Sequence, residues 1–95
     1  MLDQAKMIMQ LKKAQKELTK LIVEGEAGDG AVVVSVTGEM KIKKVTIDPE
    51  YVDLDDIQVL ERWIEQATRE AMTKAQELAA EKMKPLMGGL GNLGL

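Results

Sequence analysis

Residues 31–48, AVVVSVTGEMKIKKVTID, decide the fold. Ala31–Thr37 has the length and β-branched enrichment of a strand. Gly38-Glu39 reads as a two-residue hairpin with glycine first, the type II′ arrangement. Residues 40–48 continue as a second strand whose apolar parity changes midway. Met40 and Ile42 are even, whereas Val45 and Ile47 are odd. Strand side chains alternate with a period of two, so one face stays apolar only if an extra residue intervenes. The pattern predicts a β-bulge at Lys43-Lys44.

Upstream lies GEAGDG, residues 25–30. A phosphate-cradling loop needs free backbone N–H groups at the start of a following helix. Here a strand follows, Glu26 and Asp29 would repel phosphate, and no Gly-Lys-Ser/Thr ending exists. The stretch reads as a short strand over 23–27 and a turn over 28–30. Residues 2–22 read as a helix, with Ile8, Leu11, Leu18 and Ile22 at helical spacing and Ala14 and Leu21 at the stripe's edge. Lys6, Lys12, Lys13, Lys16 and Lys20 fall within an arc of about 120° nearly opposite.

Downstream, Asp48-Pro49-Glu50-Tyr51 breaks the strand, and Asp53 is predicted to cap a long helix, with Asp56 three residues on. Ile57, Leu60, Ile64, Ala67, Ala71, Ala75 and Leu78 follow helical spacing, so the helix is expected over 54–84, about 46 Å. A compact chain of this size measures roughly 32 Å across. The helix should therefore project and pack with the first helix as an arm, its Ala71, Ala75 and Ala79 allowing another helix close. The expected class is α+β, an α-β-β-β-α protomer with a small antiparallel sheet and long protruding helices. One domain is expected over 1–87, followed by a flexible glycine-rich tail over 88–95.

The chain has 95 residues and neither cysteine nor histidine. It therefore lacks the thiol nucleophile, the commonest general base and the commonest transition-metal ligands. No enzyme activity, cofactor, metal or small-molecule substrate is expected. The acidic run Asp53-Leu-Asp55-Asp56 lacks calcium-loop spacing and reads as helix capping. With Tyr51 and Trp63 as the only aromatics, no base-stacking platform can be built. No apolar run approaches the roughly 18 residues of a membrane helix, and the chain reads as cytoplasmic.

Net charge is −3, but residues 1–23 carry five lysines against Asp3 and Glu17. Lysines are flexible point charges suited to phosphates rather than to base edges. Their helix face reads either as a phosphate-binding surface or as a solvated one. Arg62, Glu65 and Arg69 share an exposed face of the long helix, as an ion ladder or as further phosphate contacts. Met9 falls among the lysines.

The lysine-rich helix, then GEAGDGAVVVSVTGEMKIKKVTIDPE, then VDLDDIQVLERWIEQATREAMTKAQELAAEKM resembles the YbaB/EbfC family of bacterial nucleoid-associated proteins over roughly 1–84. The resemblance implies an intertwined homodimer with paired helical arms, like tweezers, gripping duplex DNA. It also implies a role in chromosome organisation and gene regulation, in association with the nucleoid. It transfers no catalytic signature. On the residues themselves, Lys6, Lys12, Lys13, Lys16, Lys20, Arg62 and Arg69 are the candidate DNA contacts. The alternative is a protein-interaction module whose arms clamp a partner protein.

Overall fold

The computed structural model describes residues 2–91, with side chains described over 4–84. Its elements are α1 (Leu2–Lys20), β1 (Ile22–Ala27), β2 (Val32–Thr37), β3 (Ile42–Ile47) and α2 (Ile57–Gly91). Short 3₁₀ turns occupy Pro49–Tyr51 and Leu54–Asp56. The three strands form an antiparallel meander in the order β1-β2-β3. This is the α+β, α-β-β-β-α arrangement expected from the sequence.

The bulge is present. Ser35 pairs with Lys44 but Val36 pairs with Ile42, so Lys43 is the extra residue. Ile42, Val45 and Ile47 are thereby set opposite Val36, Val34 and Val32, which keeps all six on one face of the sheet.

The β2–β3 hairpin differs from expectation. Its loop is Gly38-Glu39-Met40. The Met40 N–H donates to the Thr37 carbonyl at 2.9 Å, and the Thr37 N–H donates to the Lys41 carbonyl at 2.8 Å. The left-handed residue is Met40, at φ 69°, rather than Gly38. This is the three-residue loop that ends in a left-handed residue, not a type II′ turn. Gly38 serves packing instead. A β-carbon there would lie 2.8 Å from the Leu18 carbonyl oxygen. The Gly38 N–H donates to the carbonyls of Leu18 and Leu21 at 2.9 and 3.0 Å. These bonds satisfy carbonyls at the end of α1. The helix therefore stops at Lys20, and Ile22, expected within it, opens β1.

The sheet meets α2 through bare backbone. A β-carbon on Gly25 would lie 2.1 Å from the Ala67 carbonyl oxygen and 2.4 Å from the Ala71 nitrogen. Val32, Val34 and Val36 form the core with Ala67, Ala71 and Ala75. Ala71 and Ala75 thus admit the sheet rather than another helix, and the glycine opposite Ala67 and Ala71 lets strand and helix backbones touch. Trp63 stacks beside Gly28, and the Lys74 ammonium donates to the Glu24 carbonyl at 2.9 Å. So α2 runs antiparallel to β1 and leaves the sheet beyond Ala75, at the end where the β2–β3 hairpin lies.

At its start, the Asp53 carboxylate accepts from the Asp55 N–H at 2.9 Å. It caps the 3₁₀ turn that leads into α2 rather than α2 itself. At its other end α2 passes Pro85, which forgoes one backbone bond, and continues to Gly91. Its 35 residues span about 52 Å, and the molecule's longest dimension is 63 Å. Of the tail expected over 88–95, residues 88–91 are helical and 92–95 lie outside the described residues. Helix α1 touches α2 and β2 without lying along the sheet, so it too stands away from the body.

Two glycine substitutions separate packing from backbone strain. Gly25→Ala forces helix and strand apart and should cost about 3 kcal/mol in urea unfolding. At Gly30, φ is 90° and nothing lies within 4 Å of a β-carbon. Gly30→Ala should therefore cost only about 1 kcal/mol, from backbone strain alone.

Candidate nucleic-acid interface

All five lysines of α1 are exposed, and none joins an ion pair among the described residues. On the opposite side Leu18 is buried, and Leu11 and Ala14 are half-buried. The helix is held by one side and offers the other to solvent. Lys12 and Lys16 line an open groove of about 440 Å³ with Gln15, Leu18 and Thr19. Glu39, from the β2–β3 hairpin, forms its other wall.

The two arginines are placed differently. Arg69 is exposed and pairs with Glu65 at 2.5 Å, one turn away. Arg62 is exposed and forms no ion pair among the described residues. The expected ladder therefore has a single rung. Arg62 precedes Trp63, which sits at the Gly28 turn, whereas α1 is pinned at the Gly38 hairpin. The two sites lie at opposite ends of the sheet, so the structure does not bring Arg62 to the lysine face.

Sequence reasoning passed over three further cations. Lys41, Lys43 and Lys44 are exposed on β3 and its approach, and Lys41 pairs with Glu39 at 3.7 Å. Their signal was the parity switch, which marked them as a strand irregularity rather than as a charge cluster. At the other end of β3, Glu50, Asp53, Asp55 and Asp56 are exposed and Asp48 is half-buried. Asp48 and Asp53 accept backbone N–H groups from Glu50 and Asp55, so each caps a 3₁₀ turn. No group of three or more potential metal ligands gathers among the described residues. No helix among them is long and apolar enough to cross a membrane.

The model of the YbaB/EbfC DNA-binding family matches residues 1–90. The chain belongs to this family. A nucleoid-associated protein of Chloroflexus aurantiacus is 46% identical over 84 residues, covering 88% of this chain and 84% of that protein. A nucleoid-associated protein of Ruminiclostridium cellulolyticum is 43% identical over 88 residues, covering 93% and 76%. The crystal structure of an uncharacterized protein from Helicobacter pylori superposes with a TM-score of 0.68 at 20% identity. It covers 84% of this chain and 90% of the other, and shows a shared fold.

Because the α1 lysines are exposed and join no ion pair among the described residues, they contribute little to folding. Replacing Lys12, Lys13 and Lys16 together by glutamine, itself a good helix former, should change unfolding free energy by no more than about 0.5 kcal/mol. Chemical denaturation monitored by circular dichroism checks this.

Proposed function

We propose that this family member is a non-enzymatic homodimer that binds duplex DNA mainly through backbone phosphates. In that role it serves chromosome organisation and gene regulation in the bacterial cytoplasm, at the nucleoid. The observation that carries the proposal is the exposed lysine face of α1, without an ion pair among the described residues and set on a helix that stands off the sheet. The names of the Chloroflexus and Ruminiclostridium relatives support the same role. Lysine side chains neutralise phosphates without reading bases. Binding should therefore depend steeply on salt and weakly on sequence.

The dimer is supported by what α2 leaves uncovered. No residue of β3 is buried. Ile42, Val45 and Ile47 lie exposed on one face of the sheet, and Met40, Tyr51, Leu54 and Ile57 are exposed as well, Leu54 reaching 83% exposure. A monomer rarely leaves such a surface to water. A second copy covers it with the same surface about a two-fold axis.

A specific observation favours one other reading. Ile8 and Met9 on α1 are 53% and 71% exposed, as an arm that clamps a partner protein would require.

The deciding experiment is a titration against duplexes of different sequence at two salt concentrations. Roughly four to six phosphate contacts per dimer lower affinity about 150- to 2000-fold for a fourfold rise in salt. The K12Q/K13Q/K16Q variant should stay dimeric and bind every duplex more weakly, with a shallower salt slope. Unchanged binding by that variant would remove α1 as the contacting surface and put the partner clamp first. In sedimentation, Val45→Lys should convert the dimer to a 10.5 kDa monomer.

A further inference from the structure

We infer that the β2–β3 hairpin carries a second phosphate-contacting patch, Lys43 and Lys44 with Lys41, at the root of the arm, resting on the duplex binding proposed for α1. The strand register sets the location. Ile22 pairs with Thr37 and Val36 with Ile42, so the start of β1, the hairpin and the start of β3 lie at one end of the sheet. Ala27, Val32 and Ile47 mark the other end. Helix α2 leaves the sheet at the hairpin end, since Lys74 lies over Glu24 and Trp63 over Gly28. Helix α1 is pinned there by the Gly38 N–H. The hairpin lysines therefore lie where both projecting helices begin.

The charge along β3 changes sign abruptly. Residues 38–44 hold three lysines and one acid, Glu39, which pairs with Lys41, whereas residues 45–57 hold five acids and no base. Along β3 the arm end thus carries a net positive charge, with Lys43 and Lys44 in no ion pair among the described residues, and the far end a negative one. A polyanion meets an attractive field only from the arm side, which is how a chain of net charge −3 presents a positive surface. The groove walled by Lys12, Lys16 and Glu39 joins the hairpin to the lysine face of α1. Lys44 pairs with Ser35 in the register. It therefore lies on the face of the sheet opposite Ile42, Val45 and Ile47 and stays outside the surface assigned to the second copy.

The test uses the full-length protein, a fluorescent duplex and anisotropy titrations across a salt series. Each lost phosphate contact lowers the slope of log K against log salt by about 0.9. K43Q/K44Q should therefore give a slope shallower by about 1.8, or twice that if both protomers engage. K43R/K44R, which keeps the charge, should retain the slope. If the double glutamine variant disturbs assembly, K44Q alone should still lower the slope by about 0.9. K43Q/K44Q/D55N/D56N restores the net charge at the far end of the molecule. It should remain as weak as K43Q/K44Q if the lysines touch phosphate. Recovery of wild-type binding in that variant, or an unchanged slope in K43Q/K44Q, overturns the patch. An unchanged K43Q/K44Q beside a weakened K12Q/K13Q/K16Q overturns the patch alone. Absence of duplex binding by the wild type overturns both the patch and the proposal it rests on.

Discussion

The contact between Gly25 and the backbone of Ala67 and Ala71 governs the rest of the molecule. With no side chain on the strand and only methyl groups on the helix, the two backbones meet directly. That closeness seats α2 across β1 and β2 and away from β3. The alternation of strand side chains sets Val32, Val34 and Val36 under the helix, where each is fully buried. The same alternation sets Ile42, Val45 and Ile47 on that face with nothing above them. A bulkier residue at position 25 would lift the helix and loosen the only core among the described residues.

A long helix fixed so firmly at one end of its length must project at the other. The sheet strands have six residues each, whereas α2 has 35. Helix α1 enters β1 through the single residue Leu21 and is tied to the hairpin by the Gly38 N–H. Its lysines therefore ride on an element that stands off the sheet. Proximity of like charges costs little there, because exposed groups interact through high-dielectric water and salt screens them beyond about 8 Å at physiological ionic strength. The field needed to attract a polyanion is a matter of where the charges stand rather than of their sum.

The uncovered apolar surface originates in the narrow footprint of α2 on the sheet, which covers β1 and β2. If α2 lay centrally over all three strands, the β3 surface would be buried within one chain. In the proposed dimer the surface left open is what the second protomer would cover, and two protomers would double the lysine faces. Avidity of this kind raises affinity without adding base-specific contacts.

Sequence alone determined the order of elements, the bulge at Lys43, the two-faced character of α1 and the resemblance to a DNA-binding family. Each rests on residues close together in the chain, or on a pattern that repeats along it. The parity switch between Ile42 and Val45 is an example: it needs only the period of a strand. The tertiary structure decided what periodicity cannot carry. It showed that Gly38 is a glycine because Leu18 crowds it, leaving the left-handed turn position to Met40. It showed that Ala71 and Ala75 face a strand and not a helix, which depends on Gly25, more than 40 positions earlier. It placed Lys41, Lys43 and Lys44 at the root of the arm and Arg62 at the far end of the sheet. Helical spacing reports which residues of a helix share a side. What that side meets is fixed by contacts between segments remote in sequence, where a single absent β-carbon sets the distance of approach.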